Sequence, residues 1–232
     1  FRTLTVTLII IINLFLYGSC RPFGISLPAT MNNYTFLMYV IHFLAKDSHN
    51  VIYLSYKIIK GDNKMFKEIS AKELKENPFK LIGDDWGLVT VDTKEKVNMM
   101  TVSWGGVGIM WNKPVAFTFI RPQRYTFDYL ENGEYFAISF LPDEYHDVHK
   151  ICGSKSGRDI DKVKETGLTP VTDEKAPYFA ESKVVLICRK MYGQSLNSDS
   201  VVDESVFSAY APDGSDYHKM YISEIEKVLV KE

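Results

Sequence analysis

Seven consecutive residues decide the fold class predicted for this chain: Asn98-Met99-Met100-Thr101-Val102-Ser103-Trp104. Apolar and polar residues alternate along them, as is typical of a half-buried strand, and the segment ends in an indole. Because alternate residues of a strand share a face, one face carries Asn98, Met100, Val102 and Trp104, and the other carries Met99, Thr101 and Ser103.

A flat aromatic ring fits the end of such a strand. It would take hydrogen bonds from Thr101, Ser103 and backbone N–H groups, while Trp104 covers one of its sides. In the alternative interpretation, Trp104 and the two methionines fill the core and the two hydroxyls face solvent. For this segment taken alone, the alternative is the stronger interpretation.

A second segment, Arg121-Pro122-Gln123-Arg124-Tyr125-Thr126, changes that balance. It gathers two guanidinium groups and two hydroxyl groups just after a strand-like run that Pro122 ends. Forked guanidinium groups, hydroxyls and a helix N-terminus all favour phosphate. The alternative keeps Arg121 and Arg124 as surface charges and Thr126 as a helix cap. Together, the two segments predict a phosphorylated aromatic ligand.

A third segment, Cys152–Lys162, places glycine, hydroxyl and cationic groups on a loop that leads into a helix. Beside the other two segments, it would supply Lys162 to the phosphate and Ser156-Gly157 to the rim of the pocket. A capped helix with Asp159 and Lys162 on its exposed face explains the same residues nearly as well.

The bulk composition excludes several classes of protein. The chain has 232 residues, enough for one sizeable core or for one domain with an appendage. Its net charge of -2, from 27 basic and 29 acidic residues, indicates no nucleic-acid-binding field, so any anion site must be local. The three cysteines, Cys20, Cys152 and Cys188, are too far apart for a disulfide scaffold or structural zinc, and they favour free thiols in a reducing, cytoplasmic compartment.

The N-terminal quarter differs from the rest in composition. From Thr3 to Ala45, the only charged residue is Arg21, and Thr3–Cys20 is an uncharged run of 18 residues. Such a run suits a membrane helix or the apolar part of a signal peptide, and a membrane-anchored protein would require one. As a targeting signal it is weak, since only Arg2 precedes it.

We favour a third interpretation, in which residues 1–64 are translated upstream sequence. They are rich in the residues of AT-rich codons, and Lys60–Met65 back-translates as AAA GGA GAT AAT AAA ATG, a purine-rich ribosome-binding sequence before a start codon. The functional domain is then expected to span residues 65–232, and membrane association is not expected.

Strand-like runs recur through this domain and predict a mainly β fold, a barrel with inserted helices. The predicted strands are Gly87–Asp92, Val97–Trp104, Val115–Arg121, Tyr135–Leu141, Lys183–Met191, Val206–Tyr210 and Tyr217–Val230. The predicted helices are Glu68–Leu74 with Ser70 as its cap, Tyr125–Glu131 and Asp143–Cys152. No GxGxxG or GxxxxGK motif is present, so neither a Rossmann site nor a P-loop is indicated.

Four motifs in this order carry a family resemblance: Asn98–Trp104, Arg121–Thr126, Ser156–Lys162 and the closing Tyr217–Ile225. From about Phe66 onward, the chain resembles the flavin reductase-like, FMN-binding split-barrel family, and in particular its flavoredoxin members. Residues 1–64 have no counterpart in this resemblance, which also favours their interpretation as upstream sequence. Ser223 replaces a glycine that is usual in the closing motif.

The resemblance implies a homodimeric split β-barrel that holds FMN noncovalently near the subunit interface. Asn98 and Trp104 would lie near the isoalloxazine ring, and Thr126 with Lys162 would hold the phosphate. His218 would lie near the flavin, although a histidine satisfied within its strand is equally credible. The full set of implied cofactor-binding residues is Asn98, Met100, Thr101, Ser103, Trp104, Arg121, Arg124, Tyr125, Thr126, Ser156, Gly157, Lys162 and His218.

The resemblance implies a flavin- or electron-acceptor oxidoreductase in which the flavin carries the chemistry. NADH, NADPH or a protein donor would reduce FMN, and a second flavin, a redox protein or another acceptor would take the electrons. The alternative is a flavoredoxin-type electron carrier that does not itself oxidise NAD(P)H. Neither a catalytic triad nor a metal site is expected from the residues.

Overall fold

The computed structural model describes residues 66–232. The membrane-helix, signal and upstream-sequence interpretations of residues 1–64 concern a part of the chain outside that range, as does Cys20. Within residues 66–232, no helix is long and apolar enough to cross a membrane.

Strands dominate this part of the chain. They are β1 (Phe66–Ile69), β2 (Gly87–Asp92), β3 (Val97–Val102), β4 (Gly105–Met110), β5 (Lys113–Ile120), β6 (Tyr135–Phe140), β7 (Pro170–Val171), β8 (Tyr178–Phe179), β9 (Val184–Ser195) and β10 (Lys219–Lys231). Eight of them form one antiparallel sheet in the order β3-β2-β6-β9-β10-β5-β4, with β1 also paired to β10, and β7 pairs with β8 separately.

Strand β10 joins the two halves of the sheet. Residues 219–224 of β10 pair with β5 and residues 228–231 pair with β1, while β9 runs along its other side. Register shifts at Ile222/Ser223 and Ile225/Lys227 interrupt the β9 ladder, as bulges that bend a strand do. Strands β3 and β4 lie at opposite edges of the sheet, and no ladder joins them within the described residues. The fold is therefore a barrel that stays split.

Within residues 66–232, four α-helices and several short 3-10 helices connect the strands. The α-helices are α1 (Pro78–Gly83), α2 (Tyr125–Asn132), α3 (His146–Ser154) and α4 (Lys162–Thr166). Asp161 begins α4, since its carboxylate accepts the backbone N–H of Lys164 at 3.3 Å, and Gly167 ends it with φ 70°. The prediction of a mainly β fold with inserted helices is confirmed.

Strand β3 is covered on both faces, and is therefore more buried than the half-buried strand that its alternating sequence predicts. Met100 and Val102 belong to the main core, together with Phe136 and Tyr221, whereas Met99 packs into a second cluster on the side of α3. Each fully buried methionine contributes about 2 kcal/mol by leaving water. Because both faces of β3 are occupied, only its ends and its polar side chains remain available to a ligand.

The edge strand β4 is absent from the sequence predictions. Its three glycines explain this, because glycine is depleted in strands and the segment therefore does not read as one. The hairpin turn explains its pairing with β5: Trp111 and Asn112 have φ 51° and 59°, the left-handed pair of a two-residue turn.

Two local predictions are wrong. The strand predicted over Val206–Tyr210 is a 3-10 helix, Glu204–Ala209, because Asp203 accepts the N–H of Ser205 at 2.9 Å and begins a helical turn. The predicted helix Glu68–Leu74 also fails at its start, where β1 runs to Ile69. Only Ala71–Glu73 is helical there, and Ser70 and Glu73 form its capping box.

Candidate functional site

Asn98 links the start of β3 to the first turn of α2. Its side chain is 2 % exposed, and its Nδ2 donates a hydrogen bond to Thr126 Oγ1 at 2.9 Å. Thr126 is 1 % exposed and is not the cap of α2, since that position belongs to Arg124. Arg124 makes no side-chain cap hydrogen bond, so no side chain satisfies the first N–H groups of α2 in the described residues.

Gly157 lies against this pair. A Cβ at Gly157 would come within 2.0 Å of Asn98 Oδ1 and 2.8 Å of Tyr125 Cδ1, distances at which atoms overlap. Only glycine therefore allows the loop that contains Ser156 and Gly157 to approach Asn98 this closely. The structure thus brings together three of the sequence motifs at one place.

Lys162 completes the same place with a buried positive charge. Its side chain is 5 % exposed, and its Nζ donates to the carbonyl oxygens of Met99 at 2.9 Å and Cys152 at 2.8 Å. Within residues 66–232, it forms no ion pair with a carboxylate. Burial lowers the pKa of Lys162, and nearby Arg124 lowers it further. The alternative that placed Lys162 on an exposed helix face is wrong.

We call Asn98, Thr126, Gly157 and Lys162 the lysine cluster. Two further cations lie nearby: Arg124 donates to the carbonyl oxygen of Gly153 at 3.0 Å, and Arg158, which forms an ion pair with Asp128 at 2.8 Å, lies with its guanidinium 4.9 Å from the Tyr125 ring centroid. An ammonium has three protons to donate, and Lys162 uses two of them. The lysine cluster therefore has the donor set that an anion needs.

The remaining polar residues predicted on β3 and in the loop have other partners or surroundings. Thr101 Oγ1 donates to the carbonyl oxygen of His149 at 2.7 Å, which ties β3 to α3. Ser156 Oγ accepts the N–H of Arg158 at 3.2 Å, and Ser103 is partly exposed at the end of β3. Met100 lies in the main core, 7 % exposed.

Trp104 and His218 form a second group. Trp104 is 48 % exposed, and its ring centroid lies 4.9 Å from that of the buried His218. His218 Nδ1 is 3.1 Å from the hydroxyl of Tyr210. Arg121 lies 5.6 Å from the Tyr210 ring centroid. We call Trp104, Arg121, Tyr210 and His218 the histidine cluster.

The charges of the histidine cluster are balanced within the protein. Arg121 forms an ion pair with Asp216 and donates to the carbonyl oxygen of Ala209 at 2.8 Å. Burial lowers the pKa of His218 to about 4, and the positive charges of Arg121 and Arg124 act in the same direction. His218 is therefore neutral at pH 7.

Arg124 connects the two clusters electrostatically, because its charge lowers the pKa of both Lys162 and His218. Sequence reasoning missed Tyr210 and Asp216, which contact residues 8 and 95 positions away in the chain and belong to no motif. Ser223, which stands where the family pattern has glycine, is fully buried in β10, and its hydroxyl has no hydrogen-bond partner among the described residues.

The fold is similar to that of several solved structures. The FMN-binding protein from Thermus thermophilus with bound p-hydroxybenzaldehyde is 18% identical, with a TM-score of 0.51 over 72% of this chain and 82% of that one. An FMN-binding domain of a flavin reductases-like enzyme from Shewanella baltica OS155 is 15% identical, with a TM-score of 0.52 over 72% of this chain and 77% of that one. The flavoredoxin of Desulfovibrio vulgaris (Miyazaki F) is 23% identical, with a TM-score of 0.50 over 72% of this chain and 76% of that one.

The family comparison covers the same part of the molecule. A comparison with curated proteins found no match. The model of the flavin reductase like domain, in contrast, matches residues 79–232, which include both clusters and all four sequence motifs. The resemblance inferred from those motifs is confirmed: the chain belongs to the flavin reductase like domain family.

Proposed function

We propose that this chain is an FMN-binding oxidoreductase. The observation that carries the proposal is Lys162, a buried ammonium with two carbonyl acceptors and no carboxylate partner within the described residues. A charge in such a place is costly unless an anion balances it. A phosphate beside Lys162, near Arg124 and the uncapped start of α2, would supply that balance.

The predicted cofactor-binding residues would divide between the phosphate and the ring of FMN. Thr126, Lys162, Ser156 and Gly157 would hold the phosphate, with Arg124 and Tyr125 beside it. Asn98, Thr101 and Ser103 would face the polar edge of the ring, while Met100 would support β3 from the core. The remaining members of the predicted set, Trp104, Arg121 and His218, would form the wall near the ring.

Bound FMN would supply the electron or hydride chemistry, as flavins do in proteins of every fold. The protein would bind and orient it, and each cluster would make a separate contribution. Lys162 and Arg124 would neutralise the phosphate. Neutral His218 would offer one ring nitrogen as a hydrogen-bond partner without adding charge near the flavin. The half-exposed Trp104 would cover a flat partner by stacking.

The first test is whether the full-length protein binds FMN. We expect the purified protein, or the protein reconstituted with FMN, to show the visible absorption of oxidised flavin after free cofactor is removed. A protein that stays colourless after reconstitution, and that gives no heat on titration with FMN, would contradict the proposal.

A second experiment identifies the electron donor. FMN-loaded protein is mixed anaerobically with NADH or NADPH, and flavin bleaching is followed in the presence of free flavin as acceptor. Catalytic bleaching by either nucleotide is the result that we expect of a reductase. If neither nucleotide bleaches the flavin while dithionite does, the protein is a flavoredoxin-type electron carrier.

We also propose that the protein is a homodimer. The edge strand β4 and its turn expose Ile109 and Trp111 at 65% and 49%, and Trp104, just before β4, is also half exposed. Apolar side chains of this size beside an unpaired strand edge favour a covering partner, and a second copy of the chain would provide it. Light scattering of the wild type and of an Ile109→Glu variant tests this: a monomeric wild type would contradict the proposal.

A further inference from the structure

The turn between β2 and β3 holds the backbone of Lys96 in place. The N–H and the hydroxyl of Thr93 both donate to the carbonyl oxygen of Lys96, at 3.0 and 2.8 Å, and Thr93 Oγ1 accepts the N–H of Lys96 at 3.0 Å. Thr93 is only 6 % exposed. The backbone of Lys96 is therefore held in place, and its side chain can reach only a limited region.

The side chain of Lys96 crosses to a loop about sixty residues further along the chain. Its Nζ donates to the carbonyl oxygens of Gly157 at 2.8 Å and Ile160 at 3.4 Å. The same loop is closed on itself, since the N–H groups of Asp159 and Ile160 both donate to the carbonyl oxygen of Ser156, at 3.1 and 3.2 Å. Lys96 thus fastens this turn to the sheet, and no carboxylate within residues 66–232 forms an ion pair with it.

The position of this loop decides the geometry of the lysine cluster. Gly157 already touches Asn98, so a small movement of the loop toward the sheet would displace Asn98 from its hydrogen bond to Thr126. A movement of the loop away from the sheet would break the contact between Gly157 and Asn98. The loop also leads directly into Asp161 and α4, whose first residue is Lys162.

We propose that Lys96 is a positioning residue for phosphate recognition. Its ammonium fixes residues 156–160 so that Ser156, Gly157 and Lys162 meet Thr126 at a single place. This inference rests on the proposed binding of FMN, and it adds a residue that belongs to none of the four motifs. Lys96 holds the loop and is assigned no contact with the cofactor itself.

The test compares two ligands that share the flavin ring. FMN carries a phosphate and riboflavin does not, so a residue that positions the phosphate site affects FMN selectively. We expect Lys96→Met to weaken FMN binding about tenfold, the size of losing one charge-assisted hydrogen bond, and to change riboflavin binding less than about twofold. Isothermal titration with each ligand measures both constants.

Two further variants make the comparison specific. Lys94 lies in the same turn, is exposed, and has no side-chain hydrogen bond among the described residues, so Lys94→Met should leave both affinities unchanged. Lys96→Arg keeps the charge and should recover most of the FMN affinity. If Lys96→Met does not fold, Lys96→Gln replaces it, and the same FMN-selective loss is expected.

Three results would overturn the inference. Unchanged FMN binding in Lys96→Met would show that the loop does not depend on this lysine. An equal loss for FMN and riboflavin, together with a lower melting temperature, would assign Lys96 a purely structural role. Failure of the wild type to bind FMN would instead remove the proposed function, and this inference with it.

Discussion

The lysine cluster and the histidine cluster differ in whether their charges are balanced within the protein. In the lysine cluster, the ammonium of Lys162 is buried without a carboxylate partner in the described residues. In the histidine cluster, Arg121 is paired with Asp216, and the low pKa of His218 keeps that ring neutral. The first cluster has an unbalanced positive charge, which suits a phosphate, and the second is neutral and aromatic, which suits a ring.

The largest effect should come from removing the unbalanced charge. We expect Lys162→Met to weaken FMN binding about a hundredfold, because a charged hydrogen bond in a buried place is worth about 2–3 kcal/mol. Lys164→Met is the matched control: it lies on the same short helix, but its side chain is 78% exposed. Fluorescence titration of FMN measures both. If both variants bind FMN as tightly as the wild type, the unbalanced charge of Lys162 does not serve to bind FMN.

The second effect concerns space rather than charge. We expect Gly157→Ala to lower the free energy of unfolding by about 1–3 kcal/mol and to weaken FMN binding, because the added Cβ overlaps Asn98. Gly83→Ala is the control, since a Cβ at Gly83 meets nothing within 4 Å. In a helix it should be neutral or stabilise by about 0.5–1 kcal/mol. Urea unfolding compares the two, and equal midpoints would mean that the loop moves freely.

The third effect is a pH dependence of stability that arises from two buried histidines, His218 of the histidine cluster and His149 of α3. Burial is the main cause of the low pKa, about 4, of both His218 and His149, whereas an unfolded histidine titrates near 6.5. Below pH 6.5, the unfolded chain therefore binds protons that the folded chain does not, and stability falls as the pH is lowered from about 6.5 to 4. Each histidine should contribute about 1 kcal/mol per pH unit between pH 6 and 5.

Replacing one histidine shows how much that residue contributes to the pH dependence of the unfolding free energy. We expect the slope of unfolding free energy against pH to fall by roughly half in His218→Gln, because His149 remains and has a similar pKa. Urea unfolding at pH 6.0, 5.5 and 5.0 gives the slope. The range stays above the titration of most carboxylates. An unchanged slope in the variant would mean that His218 is protonated in the folded protein.

The smallest effect should come from the ion pair between Arg121 and Asp216, whose charges already balance each other. We expect Asp216→Asn to cost about 1 kcal/mol of stability, as partly exposed ion pairs do, and to change FMN affinity less than about threefold. Thermal unfolding and FMN titration measure the two quantities. A large loss of FMN affinity with little loss of stability would mean that both clusters bind the phosphate, and the distinction between them would fail.

The sequence predicted the parts of the site that depend on local pattern. The alternation of residues 97–102 predicted their strand, although both faces of it are buried, and Tyr125 begins a helix as its motif predicts. The burial of Lys162 could not be predicted, since it depends on α3 and β3 supplying two carbonyl oxygens from distant segments. Lys96 and Tyr210 were missed for the same reason: their roles come from contacts across the fold.

The place of β10 in the sheet has a consequence for how the protein is made. This strand lies between β9 and β5, yet it follows the other nine described strands in the chain. Without it, the β3-β2-β6-β9 part of the sheet and the β4-β5 hairpin have no described strand between them. We expect nascent chains that stop short of residue 219 to expose two unpaired edges, and so to be favoured targets of chaperones and proteases.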